Sequence, residues 1–268
     1  MSRPIITLTT DFGLADHFVG TMKGVILELA PDAQIVDISH SVQAFDVLDG
    51  ALTISQAYSY FPAGTVHVVV VDPGVGTARR PITLTGDRHH FVAPDNGVLS
   101  LVYDREERLS IRHVTAEHYF LQPRSNTFHG RDIFAPIAAY LAKGVDPARF
   151  GDEISDFVRF AAPRPKPIDE HTLRGVVLKV DRFGNLITNI RPPDFPALFE
   201  SSPGPFKITI GKGEATRMCT NYSEGAPGEV FAILGSMGFL ELAANRGSAV
   251  QLVGAAKGGE VQVVMRTS

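Results

Sequence analysis

The fold is decided by residues 65–76, which read TVHVVVVDPGVG. Apart from His67, the first part of this stretch is β-branched, which is typical of a strand covered on both faces of a sheet. The Asp72-Pro-Gly that follows ends the strand in a turn. A sheet with such a strand at its centre needs helices on both faces, so the stretch predicts an α/β fold.

Strands and helices alternate on the N-terminal side of this stretch. We predict strands at residues 5–10 and 34–38, and a helix at residues 18–30 with apolar side chains at three-to-four spacing. A second helix is predicted at residues 47–61, with Asp46 as its N-cap. This alternating order predicts a mainly parallel sheet. The later elements of this half are a hairpin of residues 81–85 and 89–92, a strand at 109–114, and a helix from Asp132 with Pro136 in its first turn.

The C-terminal part has a different pattern. Residues 161–171 contain three alternating prolines, which favour an extended connection, so we predict domains at residues 1–163 and 164–268. Short β-type runs separated by glycine turns follow, and residues 249–253 are one of them. This pattern predicts a small all-β domain, a barrel or a sandwich. We therefore expect an N-terminal α/β domain with a mainly parallel sheet and a C-terminal small all-β barrel.

Composition excludes several classes of partner. The 268 residues carry a net charge of -4 and no run of basic residues, so a nucleic-acid partner is not expected. No apolar run approaches the ~20 residues that cross a bilayer, and the N-terminus lacks a signal-peptide pattern. The single cysteine, Cys219, cannot form an intrachain disulfide. We expect a cytoplasmic protein with no membrane partner.

Polar residues follow the first three predicted strands. Asp11, His40 and Asp72 come directly after them, and ligands of open α/β sheets bind at the carboxyl ends of strands. Either acid alone is explained equally well as a turn former, but the pair favours an active-site crevice. In the loop after Asp72 the third glycine of a dinucleotide fingerprint is missing, because Arg79 occupies its position. The two glycines of this loop would let backbone approach a ligand, and Arg79 or Arg80 would supply a cation.

Three further segments combine polar and aromatic residues. Residues 126–132, NTFHGRD, precede a helix, whose N-terminus would disfavour protonation of His129. Residues 181–185, DRFGN, are either an ordinary hairpin turn or part of a site. Glu241 lies in an apolar run, where a charge needs a partner or a ligand unless it points outward. No segment has the spacing of a metal site, so we expect no metal and no cofactor.

Taken in order, these segments resemble the S-adenosylmethionine hydroxide adenosyltransferase family, which is related to fluorinating and chlorinating enzymes. The segments that carry the resemblance are TDFG at 10–13, VDISH at 36–40, VDPGVG at 71–76 with Arg79, APDNG at 93–97, TFHGRD at 127–132, DRFGN at 181–185 and SMGFLELA at 236–243. The match spans nearly the whole chain.

The resemblance implies hydrolysis of S-adenosylmethionine at the ribose C5′ by water or hydroxide, which gives adenosine and methionine. It implies catalytic roles for Asp72, Arg79 and His129. The halogenating relatives carry tyrosine at the positions of Asp72 and His129, so hydrolysis is favoured over halogenation. The resemblance also implies a homotrimer, in which the α/β domain of one subunit and the barrel of its neighbour bury the substrate.

The substrate contacts that the resemblance implies fall in both halves of the chain. Met237 stands where the halogenases carry an arginine that holds the methionine carboxylate. The implied contacts are Asp11 on the ribose hydroxyls, Phe45 and Phe128 around ribose and adenine, Phe183 beside the sugar, Asn185 and the backbone near Ala244 on adenine, Asp181 and Ser236 on the methionine portion, and Glu241 as a further contact.

Two other functions remain open from the residues. A metal-dependent phosphoesterase would use Asp11, Asp72, Asp95 and His129 as ligands, and chelation would abolish its activity. A sensor would bind adenosine or S-adenosylmethionine without turnover, and the bound nucleoside would survive purification.

Overall fold

The computed structural model describes residues 3–201 and 203–266, and the chain forms two compact units, Met1–Ala162 and Pro163–Ser268. Met1 and Ser2, the start of the N-terminus in which no signal peptide is predicted, lie outside the described residues. None of the helices in the described ranges has the length and apolar content needed to cross a membrane.

The first unit is built on one sheet. Four neighbouring strands are parallel, as predicted, and the first strand of the hairpin runs antiparallel to both of its neighbours. The strands of this sheet are β1 Ile5–Thr10, β2 Gln34–Ser39, β3 Val66–Val70, β4 Pro81–Thr85, β5 His90–Pro94 and β6 Ser110–His113, in the spatial order β2-β1-β3-β5-β4-β6. The stretch that predicts the fold thus supplies a strand in the interior of the sheet.

Helices cover both faces of this sheet. They are α1 Phe18–Leu29, α2 Val47–Ala57, α3 Ser100–Tyr103 and α4 Ala135–Ala142. Side chains that alternate along β3 enter two separate apolar clusters: Val68 packs with α1 and α4, whereas Val69 packs on the α2 side. This separation confirms that the strand is buried on both faces.

Two helices of the first unit differ from their predicted bounds. Asp46 caps α2 as predicted, and its side chain accepts a hydrogen bond from the Asp49 amide at 3.0 Å. However, α2 ends at Ala57 and the chain tightens into a 3₁₀ turn. The predicted helix from Asp132 begins with a π-turn, Gly130–Phe134, before α4. Pro136 lies in the first turn of α4, where its missing amide costs no hydrogen bond.

The second unit is built on a largely antiparallel sheet. Its strands are β7 Lys166–Asp169, β8 Thr172–Val180, β9 Leu186–Thr188, β10 Phe206–Ile210, β11 Gly213–Ala215, β12 Met218–Cys219, β13 Val230–Leu234, β14 Leu240–Ala244 and β15 Glu260–Met265. Their order is β11-β10-β15-β8-β9-β14-β13-β12, with β7 paired to β8. The described strands confirm a β-rich unit, and their pairing does not by itself show the predicted closed barrel.

One sequence prediction for this unit was wrong. Residues 249–253 form a short helix, α5 Ala249–Val253, instead of a strand. Ser248 caps its start, and Gly254 follows it in the left-handed conformation that commonly ends helices. The proline-rich connection is extended, as predicted, and its residues 166–169 form β7, which pairs with β8 as an edge strand. Cys219 is 3% exposed and packs among apolar residues of β13 and β14.

Candidate active site

Asp72, Arg79 and His129 form one hydrogen-bonded chain in the first unit. Asp72 follows β3 at the carboxyl end of the sheet, Arg79 lies in the next loop, and His129 precedes the π-turn. Arg79 donates from Nε to both carboxylate oxygens of Asp72 at 3.0 Å, and its Nη2 also pairs with Oδ2. The same Nη2 lies 2.8 Å from His129 Nδ1. The structure thus brings together the three residues implied as catalytic.

The arginine fixes the protonation of the histidine. A guanidinium has donors only, so His129 Nδ1 must accept, and the neutral ring carries its proton on Nε2. Burial, followed by the charge of Arg79, lowers the pKa of His129 below its usual range. The direction agrees with the prediction, and the two largest causes that lower the pKa are burial and the charge of Arg79.

Among the contacts of the described residues, two buried polar atoms of the hydrogen-bonded set Asp72, Arg79 and His129 have no hydrogen-bond partner. They are Arg79 Nη1 and His129 Nε2, and both are donors in the arrangement above. Buried donors are nearly always paired in folded proteins, because an unpaired one loses its hydration without compensation. Each of these two donors is therefore available to an acceptor such as a water or hydroxide oxygen.

Asp11 lies close to this chain and holds Phe45. Its Oδ2 accepts a hydrogen bond from the Phe45 amide at 2.8 Å, and burial raises its pKa, with a smaller contribution from the charge of Asp72. Phe45 has a φ of 64° and is 75% exposed. The His40 ring nitrogens contact Thr10 at 2.8 Å and Asp37 at 3.0 Å. Of the three predicted strand-end residues, Asp11 and Asp72 thus lie close enough for their charges to interact, whereas His40 is engaged by other side chains.

Phe128 is mostly a core residue. It is 8% exposed, and its ring meets the edges of Phe12 and Phe18 at centroid distances of 6.2 and 5.1 Å.

The prediction that the glycines after Asp72 let backbone approach a ligand needs a correction at Gly76, which has a φ of 78°. A Cβ there would stand 2.2 Å from the Asn126 carbonyl oxygen, so this glycine serves a close approach of two loops.

The residues of the phosphoesterase alternative do not form a metal site. Asp95 accepts from Arg80 at 2.9 Å and from the Val158 amide at 2.7 Å. Arg80 also binds Asp156, so its contacts are structural. Of the two arginines that the sequence offered as a cation for the site, Arg79 is the one that binds Asp72 and His129. Within residues 3–201 and 203–266, no group of three histidine, cysteine or acidic side chains is placed to hold a metal ion.

In the second unit, residues 181–185 form a self-capped turn. Asp181 Oδ1 accepts from the amides of Phe183 at 2.9 Å and Asn185 at 2.8 Å, and its Oδ2 accepts from Asn185 Nδ2 at 2.8 Å. Because a carboxylate only accepts, this contact fixes the Asn185 amide with its nitrogen toward Asp181. Phe183 is 76% exposed. The contacts are those of an ordinary turn, and they leave an exposed ring and an oriented amide.

Glu241 points inward beside this turn. It is 4% exposed, and Tyr222 Oη donates to its Oε2 at 3.3 Å. Burial raises the pKa of Glu241, and the charge of Asp181 adds to the rise. A Cβ on Gly235 would lie 1.8 Å from Glu241 Oε1, so the glycine makes room for the carboxylate. Ser236 is exposed in the neighbouring turn.

A cavity of about 610 Å³ lies at the end of β14. The turn of residues 181–185 adjoins it, because Val250 donates to the Gly184 carbonyl at 3.0 Å. Sequence reasoning missed most of its wall, as it missed Tyr222, because no motif surrounds these residues. Its lining is Ser223, Pro227, Gly228, Ala244, Asn245, Arg246, Gly247, Ser248, Gln251 and Leu252.

Comparison with known proteins decides the family. Residues 6–151 match the SAM hydroxide adenosyltransferase N-terminal domain, and residues 175–262 match the C-terminal domain of the same family. The chain belongs to the SAM hydroxide adenosyltransferase family. The resemblance drawn from the sequence motifs is thereby confirmed.

Members of the SAM hydroxide adenosyltransferase family and their relatives match over nearly the whole chain. An (R)-S-adenosyl-L-methionine hydrolase of Salinispora arenicola is 37% identical, with 98% of each chain covered. A fluorinase of Nocardia brasiliensis is 31% identical, with 97% of each chain covered. A crystal structure of an uncharacterised conserved protein from Thermotoga maritima superimposes with a TM-score of 0.89 at 37% identity. That match covers 97% of this chain and 100% of the other.

Proposed function

We propose that this protein hydrolyses S-adenosyl-L-methionine at the ribose C5′ to adenosine and methionine. The observation that carries the proposal is the buried chain of Asp72, Arg79 and His129 with its two unpaired donors. Such a pair of donors fits the oxygen of a water or hydroxide nucleophile. The relatives named as hydrolases of this substrate support the same reaction.

The reaction requires the protein to activate the nucleophile and not the leaving group. The sulfonium is already a good leaving group, because the C5′–S bond breaks with its electrons on sulfur and yields a neutral thioether. Water oxygen forms the new bond to C5′ and loses one proton. The protein must therefore hold one water in line with the breaking bond and accept that proton, and positioned proton transfer contributes about 10²–10⁴-fold.

The roles within the chain follow from its hydrogen bonds. Arg79 Nη1 and His129 Nε2 donate to the nucleophile oxygen and stabilise the charge of hydroxide as it forms. His129 cannot accept the proton in this arrangement, because Nδ1 is occupied by Arg79 and Nε2 carries hydrogen. Asp72 is the acceptor that remains in the chain. We therefore assign the role of base, which the sequence left open between Asp72 and His129, to Asp72.

The other implied contacts are part of the proposal. In the first unit, the free oxygen of Asp11 binds the ribose hydroxyls, with Phe45 and Phe128 around the sugar and base. In the second unit, Asn185 and the cavity at Ala244 take the adenine, and Phe183 packs beside the sugar. Glu241, with Asp181 and Ser236, faces the methionine portion, where an acid balances the substrate ammonium.

We also propose that the two compact units act as two domains and that the second is the family's small barrel. The family resemblance supports a homotrimer in which these domains, from neighbouring subunits, enclose the substrate. Analytical ultracentrifugation of the purified protein tests the assembly, and a monomer that is fully active would contradict it.

Chromatography of the protein incubated with S-adenosylmethionine, without added metal or halide, tests the function. We expect adenosine and methionine in equal amounts, unchanged by a chelator. In the Asp72→Ala variant adenosine formation should fall by about 10²–10⁴-fold while the circular dichroism spectrum stays native. Substrate that stays bound and intact in the wild type would favour the sensor, and activity abolished by chelation would favour the phosphoesterase.

A further inference from the structure

A charged pair that the reaction does not use follows His129 directly. Asp132 is fully buried, whereas the Arg131 side chain is 31% exposed. Arg131 donates from Nε to Asp132 Oδ1 at 2.6 Å and from Nη2 to Oδ2 at 3.0 Å. A carboxylate in the interior needs charged or hydrogen-bonded partners, so this bidentate contact fixes both side chains.

Asp132 also anchors the loop that leads to His129. Its Oδ2 accepts from the Ser125 amide at 2.7 Å, and its backbone carbonyl accepts from the Leu121 amide at 2.9 Å. The loop is thus tied at both of these points to the π-turn. π-turns inside helices are frequently found at functional sites, and this one begins directly after the histidine of the candidate active site.

Arg131, which is fixed by Asp132, contacts the ring of Phe128. Its guanidinium stands 5.3 Å from the Phe128 ring centroid, and Phe18 meets that ring at 5.1 Å. The ring is therefore held between a cation and an aromatic edge. Gly130 leaves little room for movement, because a Cβ there would lie 3.1 Å from Met22 Sδ and 3.3 Å from Phe128.

From these contacts we infer that Arg131 and Asp132 are a positioning pair, which holds Phe128 and His129 where the reaction needs them. The inference rests on the proposed function, because it assigns the pair no contact with substrate. Asp132 acts on His129 through the loop anchor, and Arg131 acts on Phe128 through the ring. Loss of either anchor should let its target side chain move, and a misplacement of about 1 Å can cost 10²-fold in rate.

Steady-state kinetics of Asp132→Asn, Arg131→Gln and Arg131→Lys test the pair. The control is Arg159→Gln, which breaks an exposed ion pair with Asp104. We expect Asp132→Asn to lower kcat at least about 10-fold. Arg131→Gln should chiefly raise KM, and Arg131→Lys should recover part of that loss because it keeps the charge without the fork. The control should behave as wild type.

A second measurement needs no substrate. The charges that act on His129 are those of Arg79, Asp72, Arg124 and Asp132, and the Asp132 carboxylate raises the histidine pKa. Titration of ¹³C-labelled histidine by NMR should therefore give a lower pKa for His129 in Asp132→Asn than in the wild type. This titration can be carried out even if the wild type releases no adenosine. The absence of adenosine would contradict only the proposed function.

The outcomes separate a positioning role from a purely structural one. If kcat and KM of Asp132→Asn and Arg131→Gln stay within twofold of wild type while the thermal midpoint falls, the pair merely stabilises the fold and the inference is overturned. If Asp132→Asn does not fold, the partly exposed Arg131 still decides the question, because unchanged KM in Arg131→Gln contradicts the inference.

Discussion

At the scale of single residues, Arg79 determines what its neighbours can do. One guanidinium binds the Asp72 carboxylate and occupies His129 Nδ1. The family resemblance implied these three residues as a set. The tautomer of His129 and the left-handed backbone at Phe45 were beyond sequence reasoning, because both depend on distant atoms that meet only in the folded chain.

The pH dependence of kcat should reflect the neutral form of His129. Protonation of Nδ1 would break its bond to Arg79 and place two cations side by side. Since the His129 pKa is lowered, the active form persists on acidification, and kcat should fall only below pH ~6.5, the usual histidine value. A pH–rate profile checks this. An acid limb at or above that value would mean that the histidine works in another protonation state.

The backbone at Phe45 is strained, and a substitution that removes the strain should increase the free energy of unfolding. A non-glycine residue in the left-handed region costs roughly 1–2 kcal/mol, and the exposed ring gives little burial in return. We expect Phe45→Gly to be more stable than Phe45→Ala by about 1 kcal/mol in urea unfolding. Both variants lose the ring, so both should raise KM for S-adenosylmethionine alike. Equal unfolding midpoints for the two would contradict the strain.

At the scale of elements, the predictions succeeded where hydrophobic pattern alone decides. The strands β1 and β4 have the bounds that the sequence pattern predicts, because a run of buried residues marks each of them. The errors fall where a local cap competes with pattern. The helix α5 is too short for its period to show, and only Ser248 and Gly254 mark its ends. The cavity beside it was missed for the same reason.

Glycine substitutions in two helical regions should have opposite effects. Gly254 follows α5 with a φ of 65°, so Gly254→Ala should destabilise the protein by about 1 kcal/mol. Gly20 lies exposed inside α1 with open space where a Cβ would stand, so Gly20→Ala should stabilise it by about 0.5–1 kcal/mol. Urea unfolding measures both, and equal signs would show that one backbone assignment is wrong.

At the scale of the whole molecule, buried histidines should make stability depend on pH. The rings of His67 and His89 lie 5.2 Å apart on the α2 side of the first sheet, and Thr7 Oγ1 lies 2.7 Å from His67 Nδ1. Burial, followed by the charge of His89, lowers the pKa of His67 to about 3, and burial lowers that of His89. Both rings are therefore neutral in the folded protein at neutral pH.

The sign of the effect follows from proton uptake. Below pH ~6.5 the unfolded chain protonates these histidines while the folded chain does not, so the stability present above that pH is lost as pH falls toward the folded pKa values. For His67 the loss is about 1.4 kcal/mol for each pH unit between 6.5 and about 3. Unfolding free energies measured across this range should show a shallower slope in His67→Gln than in His118→Gln, whose side chain is exposed. Parallel slopes would contradict the assignment.

The burial of Cys219 leaves the surface of the folded protein without an accessible thiol. Its thiol is the one thiol of the chain, it is 3% exposed, and burial raises its pKa, so the folded protein offers thiol reagents almost no target. A maleimide dye should therefore attach only to a cysteine introduced on purpose, for example at Tyr60, which is 86% exposed. In the unmodified chain, the appearance of a reactive thiol would count unfolded molecules directly.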